Sequence, residues 1–362
     1  MKKIFLSLFL LIIAFTTEAK ILMTPYLQAV TTNSVFVLVE CDRRDTVWVD
    51  FGTTPSFGSH ASTLIYSETT ASPETFVHKI FLSGLSSNSI VYYRARQGKS
   101  LSATASFHTA VEQGTSFRLT WMADFRTHTA VHAKIAGLVA KANSVVSLYG
   151  GDLCLNGEYK SWKKEFFLGE ERSLISRVPF FNATGNHEGN GQNTIAFLRN
   201  PESASHSQQY YSFDYGDLHV LVLNTETDDK PGSPQFNFAE EDLKSCTKPW
   251  KIVVSHAPAY CGGGHGEDTN MVQMTKRIFE PYHVDLVLSG HSHFYQHNLV
   301  NGIHHLVIGS AGAPLYTPKN EPYTLLSVKD YNWAVMEISP AKLTLTVYNA
   351  ESKKLDEIDL TK

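Results

Sequence analysis

Cysteine is scarce in this sequence. Only Cys41, Cys154, Cys246 and Cys261 occur in 362 residues. Four scattered thiols cannot form the dense disulfide framework of a small secreted domain, so the fold depends on a hydrophobic core. Hydrophobic residues make up 43% of the chain and aromatic residues 12%, which supplies such a core and excludes a disordered chain. We expect all four cysteines to be free thiols, with disulfides as the alternative.

Strong charge of either sign is also missing. The net charge is −4, and only 18% of the residues are charged. Nucleic-acid-binding proteins usually carry a basic block or stripe, and this sequence has none. We therefore expect no nucleic acid as a binding partner. These numbers leave the oligomeric state open.

A long apolar run occurs once, near the amino terminus, in MKKIFLSLFLLIIAFTTEAK. Lys2 and Lys3 precede the run, and the small residues Thr17 and Ala19 follow it at the spacing of a cleavage site. The run is too short to span a bilayer comfortably. We predict a signal peptide over residues 1–19 and a secreted or periplasmic protein with no membrane span after cleavage. An uncleaved anchor is the alternative.

Residues 20–110 have the composition of short strands. The segments SVFVLVEC, TVWVDFG, HKIFLSGL and IVYYRARQ are rich in Val, Ile, Phe and Tyr. Stretches rich in Ser, Asn, Gly and Pro separate them, and short strands at this spacing predict an all-β sandwich. The segment from Thr109 to Ser116 is interpreted as a linker.

Residues 117–362 follow a different pattern. Apolar strand-like runs alternate with helical stretches such as HTAVHAKIAGLVAKAN and NMVQMTKRIFEPYH. This alternation predicts an α/β domain in which helices cover buried sheets. A GxSxG motif is absent from the sequence, which disfavours a Ser–His–Asp hydrolase.

Polar residues follow five of the apolar runs in this second part. Side chains beyond the carboxyl ends of strands in an open α/β sheet gather in one crevice. Each residue alone has a structural explanation, such as capping a helix. The motifs GNHE and GHSH together indicate a metal site more specifically than any single residue does. Their oxygen and imidazole donors suit Zn²⁺, Mn²⁺ and Fe. The sequence predicts a two-ion site with these ligands: Asp124, Asp152, Asn186, His256, His291 and His293.

The motif order AD…GGD…GNHE…SHAP…GHSH resembles the calcineurin-like metallophosphoesterases. In the first part, PYLQ, DFGTTPSFGS, LSGL and VYYRARQ resemble the fibronectin type III-like domain of purple acid phosphatases. The resemblance covers nearly the whole chain after the signal peptide. It implies a β-sandwich at 20–110, followed at 117–362 by a four-layer αββα metallophosphoesterase domain with a dinuclear centre at the shared edge of its two sheets.

The resemblance also implies a role for each residue. The first ion would be held by Asp124, Asp152 and His293, and the second by Asp152, Asn186, His256 and His291, so that Asp152 bridges them. His187 is expected to be catalytic without binding metal, and Glu188 either orients it or stabilises the turn. His265 lies at the spacing of a substrate-contacting histidine in plant-type purple acid phosphatases, so we expect it to be catalytic; a mobile loop histidine is the alternative.

Two positions depart from the family pattern. Leu155 stands where purple acid phosphatases carry a metal-bound tyrosine in GDxxY, so the purple colour should be absent and iron itself is in question. Arg126 stands where many other relatives have the histidine of DxH. We expect Arg126 to lie at the surface, with contact to phosphate as the alternative, and we do not assume that His128 substitutes as a ligand.

These features predict an exported acid phosphatase-like hydrolase, in which a metal-bound hydroxide attacks a small-molecule phosphate monoester. The metal ions would be Fe, Zn or Mn. His187 and His265 would stabilise phosphoryl oxygens or protonate the leaving group. A phosphodiesterase or nucleotidase would use the same ligands. A binding or adhesion protein with a vestigial metal site is the alternative from another class.

Overall fold

The computed structural model describes residues 18–362, so the predicted signal peptide lies outside the described residues except for Glu18 and Ala19. Within the described part, the helices are too short or too polar to cross a membrane. All four cysteines lie in this part as free thiols, and Cys41, Cys154 and Cys261 are buried.

Eight strands occur between residues 18 and 116: β1 (Tyr26–Gln28), β2 (Ser34–Cys41), β3 (Trp48–Gly52), β4 (Ser59–Glu68), β5 (Phe76–Ser83), β6 (Ile90–Gln97), β7 (Ser100–Leu101) and β8 (Ala105–His108). They form two antiparallel layers, β1-β2-β5-β4 and β3-β6 with β7 and β8. Strand β4 pairs with both layers, and its register shifts between Thr63 and Ile65. An irregularity of this kind lets a strand bend from one sheet into the other.

The rest of the described chain contains thirteen strands: β9 (Phe117–Met122), β10 (Val146–Tyr149), β11 (Phe180–Asn182), β12 (Tyr211–Tyr215), β13 (Leu218–Val222), β14 (Trp250–Ser255), β15 (Leu286–Ser289), β16 (Tyr295–Val300), β17 (Ile303–Ile308), β18 (Thr324–Val328), β19 (Asn332–Ile338), β20 (Lys342–Asn349) and β21 (Lys354–Thr361). Its helices are α1 (Thr129–Val139), α2 (Tyr159–Ser161), α3 (Gly169–Ile175), α4 (Gln192–Phe197), α5 (Pro234–Ser245) and α6 (Thr269–Met274). Helices α2 and α6 continue into π-helical turns at Trp162–Phe166 and Thr275–Phe279.

Two sheets form the centre of this second part, in the orders β21-β20-β19-β9-β10-β11 and β12-β13-β14-β15-β17-β16-β18. Val220 and Val254 of the second sheet share a buried cluster with Trp121 of the first. The alternate residue Leu221 packs with Phe236 of α5 and with α6 on the opposite face. Burial of both faces explains the continuous apolar runs, and the αββα layering preceded by a β-sandwich is confirmed.

The two parts of the chain share a continuous sheet. Strand β1 pairs in parallel with β11 through Gln28 and Phe180. Across the same junction, the buried Glu40 of β2 accepts a hydrogen bond from the Tyr159 hydroxyl at 2.7 Å and forms an ion pair with Lys163. Since both faces of β2 are covered, all eight of its residues are buried. The sandwich therefore packs directly against the α/β part.

Candidate metal and active site

The six metal-ligand candidates lie beyond the carboxyl ends of five strands. Three of these strands belong to the first sheet (β9, β10 and β11) and two to the second (β14 and β15). The order of the residues is the order of those strands: Asp124, Asp152, Asn186, His256, then His291 with His293. The structure brings all six together at the edge that the two sheets share.

Three of these residues have an unusual backbone conformation. The φ angles of Asp124, Asp152 and His291 are 60°, 54° and 65°, in the left-handed region that side-chain-bearing residues rarely adopt. Such strain costs free energy and persists where the surrounding structure imposes it, commonly at functional sites. The strand-end turns therefore hold these three side chains in fixed positions.

Glycines allow the turns to approach one another. A Cβ atom on Gly151 would lie 2.8 Å from Nδ1 of His256, and one on Gly185 would overlap the backbone nitrogen and carboxylate of Asp152. The adjoining turns can therefore meet only because these positions lack a side chain. Because Gly185 lies against Asp152, the turn that carries Asn186 comes close to Asp152.

The candidates for the second ion form a tight cluster. Nε2 of His256 lies 3.1 Å from Oδ1 of Asn186, 3.2 Å from Nδ1 of His291 and 3.3 Å from Oδ1 of Asp152. Nδ1 of His256 donates to the carbonyl oxygen of Gly150 at 2.7 Å, which directs Nε2 into the cluster. A second hydrogen bond of this kind is how proteins orient a metal-binding imidazole.

The charge of this cluster favours a cation. Burial acts to raise the pKa of Asp152, but the positive charges of His256, His187 and Arg126 outweigh it and hold that pKa below its usual value. Burial acts to lower the pKa of His256, whereas Asp152, Asp124 and Glu188 raise it to about 9. Donor atoms of Asp124, Asp152 and His256 all lie within 4.8 Å of one another. This compact set joins Asp124, a candidate for the first ion, to Asp152 and His256 of the cluster, and carboxylate and imidazole donors of this kind fit a metal ion.

The candidates for the first ion are arranged differently. Nε2 of His293 lies 3.4 Å from Oδ1 of Asp124, and its Nδ1 donates to the carbonyl oxygen of Pro314 at 2.7 Å. The carboxylate of Asp124 accepts hydrogen bonds from the backbone N–H of His291 at 3.0 and 3.2 Å. Both side chains are buried, and a third group contacts both His293 and Asp152.

That third group is Arg126, and its expected surface position is wrong. Its residue exposure is 8%, its Nε lies 3.3 Å from Oδ2 of Asp152, and its Nη2 lies 3.4 Å from Nε2 of His293. The guanidinium is buried because two partners distant in sequence surround it. His128 is exposed, with Nδ1 at 2.7 Å from the Tyr331 hydroxyl, and does not join the site.

His187 lies at the rim of the cluster. Its backbone N–H donates to Oδ1 of Asp152 at 3.0 Å, and its Nε2 lies 3.8 Å from Oδ2 of the same carboxylate. Its Nδ1 lies 2.6 Å from the carbonyl oxygen of Leu155. Glu188 does not orient His187: it is buried and accepts a hydrogen bond from the Gly185 N–H at 2.8 Å. Glu188 therefore stabilises the turn.

His265 packs against the two histidines of GHSH. Its ring stacks on that of His291, with centroids 4.1 Å apart, and its backbone N–H donates to the Ser292 hydroxyl at 3.1 Å. The sequence analysis did not identify Tyr316, whose ring stacks on His293 at 4.3 Å and meets His265 edge-on at 5.4 Å. A tyrosine in the irregular stretch after β17 carries no local signal that would have revealed this contact.

Comparison with known proteins gives a consistent picture. The family model for calcineurin-like phosphoesterase matches residues 124–295, which contain all six metal-ligand candidates. Probable purple acid phosphatase 20 of Arabidopsis thaliana is 32% identical over 180 residues, covering 44% of this chain and 41% of that protein. Probable inactive purple acid phosphatase 1 of the same plant is 24% identical over 234 residues, covering 52% of this chain and 38% of that protein. The matched stretches thus span about two fifths of these two relatives.

A solved structure extends the likeness in fold to most of the chain. The purple acid phosphatase PPD1 from yellow lupin (Lupinus luteus) seeds aligns over 95% of this chain and 74% of its own, with a TM-score of 0.81 and 18% identity. At that identity the match concerns the fold alone. Residues 124–295 therefore match the calcineurin-like phosphoesterase model, within a fold that is similar to that of a purple acid phosphatase.

Proposed function

We propose that this protein is an exported, metal-dependent phosphoric ester hydrolase that acts on phosphate monoesters of small molecules. The observation that carries the proposal is the cluster of Asp152, Asn186, His256 and His291 at the shared sheet edge, where the nitrogen and oxygen donors converge within 3.1–3.3 Å of His256 Nε2. The family match over residues 124–295 and the name of probable purple acid phosphatase 20 support the reaction class.

A metal ion bound by these four residues would lower the pKa of a water molecule and offset the negative charge of the ester. The other groups act on the substrate itself. Because the Leu155 carbonyl only accepts, Nδ1 of His187 carries a proton, and Nε2 is a second donor when the ring is cationic. In that form, His187 donates from Nε2 to a phosphoryl oxygen or to the leaving alkoxide. His265, exposed and stacked on His291, is placed to contact the ester at the rim.

A second candidate is a binding protein with a vestigial site. Leu155 and Arg126 both stand where relatives of different kinds have a metal ligand, and one plant relative is named probable inactive. Turnover distinguishes the two candidates. An enzyme releases phosphate from esters, whereas a binding protein binds phosphate without hydrolysing esters.

The test begins with metal analysis of the purified protein. Metal is then stripped, Zn²⁺, Mn²⁺ or Fe is restored singly, and phosphate release is measured on a panel of monoesters and diesters. We expect metal-dependent release from monoesters. Cleavage of diesters alone would establish a phosphodiesterase, and a lack of turnover with every metal would support the binding protein.

A further inference from the structure

The position expected for the first ion, beside Asp124 and His293, fits a metal ion less well than the position expected for the second ion. We infer that the guanidinium of Arg126 replaces that ion: the site binds one metal ion tightly, at Asp152, Asn186, His256 and His291, and Arg126 is the second positive charge that holds the phosphate. The part of this inference that concerns phosphate binding by Arg126 rests on the proposed function. The number of bound metal ions does not depend on that function.

The first argument is the set of atoms that Arg126 contacts. Nη2 lies 3.4 Å from Nε2 of His293, and because Nδ1 of His293 donates to Pro314, that Nε2 accepts. Nε of Arg126 lies 3.3 Å from Oδ2 of Asp152, the candidate bridging carboxylate. The guanidinium thus interacts with the nitrogen and one of the oxygens that a first ion would need.

The second argument concerns the chemistry of the substituted positions. A guanidinium has five N–H donors and no acceptor, and it remains charged at any working pH, so it cannot ligate a cation and repels a nearby one. Leu155, at the position of the family tyrosine, supplies no side-chain donor. With His293 engaged by Arg126, the first position retains the carboxylates of Asp124 and Asp152 as its side-chain ligands, which is a weaker set than three or four ligands of mixed type.

The other half of the site is less affected, because Arg126 contacts only Asp152 among its four ligand candidates. Among the described contacts, Arg126 is not paired with Asn186, His256 or His291. Four side chains converge here, as in a mononuclear site.

Arg126 is also suited to the substrate. Arginine binds phosphate through a planar, bidentate set of N–H groups, and the two described contacts use only two of its five donors. Its burial beside Asp152 and His293 restricts its rotamers, so little further ordering is needed when the ester binds. The guanidinium would offset charge on the phosphate together with the single ion.

The experiment counts Zn²⁺ ions on the full-length protein by equilibrium dialysis and isothermal calorimetry, in the absence of substrate. We expect one tightly bound ion per wild-type chain. The double variant Arg126→His with Leu155→Tyr, which restores both relatives' ligands, should bind two. His128→Ala, at an exposed neighbour outside the site, is the matched control and should bind one. Two ions of similar affinity on the wild-type chain would overturn the inference, and this result requires no variant to fold.

The role towards phosphate has its own measurement. Inorganic phosphate is titrated into zinc-loaded wild type, Arg126→Gln and His128→Ala. Loss of charge-assisted hydrogen bonds should weaken phosphate binding by about 10- to 100-fold in Arg126→Gln alone, with the zinc count still one. Unchanged phosphate affinity would exclude Arg126 as the phosphate ligand. If one ion binds but no ester is hydrolysed, the proposed function fails while the ion count stands.

Discussion

Nδ1 of His187 lies 2.6 Å from the carbonyl oxygen of Leu155, so the ring is held by the residue that stands in place of the family tyrosine. The side chain is 27% exposed and its Nε2 faces the carboxylate of Asp152. An imidazole fixed at one nitrogen and open at the other is suited to proton transfer. At 3.8 Å from Oδ2 of Asp152, Nε2 is beyond hydrogen-bond distance of that carboxylate.

Replacing His187 should therefore separate chemistry from metal binding. His187→Ala should retain bound metal and lower kcat by about 10²–10⁴-fold, the usual contribution of general acid–base catalysis. The loss should be smaller for p-nitrophenyl phosphate than for an alkyl phosphate, because an activated leaving group needs little protonation. Steady-state kinetics on both esters, with metal analysis, provide the measurement.

His60→Ala, an exposed histidine in β4 of the sandwich, is the control and should behave as wild type. Loss of metal from His187→Ala would make His187 a ligand or a support for one. An equal loss of kcat on both esters would replace leaving-group protonation with stabilisation of the phosphoryl oxygens.

The colour of the iron-loaded protein tests the consequence of Leu155. We expect no tyrosinate–ferric band in the visible spectrum after loading with Fe(III). Tyr159 follows Leu155 closely in the sequence, but its hydroxyl donates to Glu40 at 2.7 Å, towards the sandwich. A visible band that disappears in Tyr159→Phe would contradict this placement.

Close packing of the turns makes a glycine substitution informative. A Cβ on Gly185 would overlap Asp152, so Gly185→Ala should displace that carboxylate and weaken metal binding by about 10- to 100-fold. Gly191→Ala is the control, because a Cβ there meets nothing within 4 Å. Zinc titration of both variants gives the comparison, and equal affinities would mean that Asp152 is not placed by this contact.

An ion pair outside the site predicts a pH-dependent stability. His219 lies 2.8 Å from Asp214 and 2.7 Å from Asp242. Burial acts to lower the pKa of His219, but the hydrogen bonds to Asp214 and Asp242 raise it to about 11. Because the folded-state pKa is raised, the stabilisation is complete below the unfolded pKa, roughly 6.5, and is lost as pH rises towards 11.

His219→Gln should therefore lower the free energy of unfolding by about 1–2 kcal/mol at pH 6, a modest value because Asp214 is half exposed. At pH 10 the difference between wild type and variant should be smaller. Urea unfolding at the two pH values measures it. A difference that stays constant with pH would show that His219 is not stabilised as a cation.

Local patterns predicted much of the fold. SVFVLVEC is strand β2 residue for residue, and HTAVHAKIAGLVAKAN contains α1. Strand β4 was missed, since it bends between two sheets and lacks a regular apolar alternation. The pairing of β19 with β9 joins segments about two hundred residues apart, and local sequence carries no information about such a partner.

The candidate site, like the fold, has features that local sequence predicts and contacts between distant residues that it does not predict. Five strand ends with ligand-type residues predicted which side chains meet, because parallel strands place their carboxyl ends at one edge. The burial of Arg126 was not predictable, because an arginine is rarely buried unless paired, and its partners Asp152 and His293 lie 26 and 167 residues away. Departures from a family motif therefore need the tertiary structure for their interpretation.

Asp152→Ala tests the central claim most directly, because Asp152 contacts His256, His187 and Arg126 at once. Metal content and phosphate release should be measured on the same preparation, after circular dichroism has established that the variant is folded. The account predicts that the folded variant loses both its bound metal and its phosphate release from monoesters. Full metal content together with full activity in Asp152→Ala would contradict it.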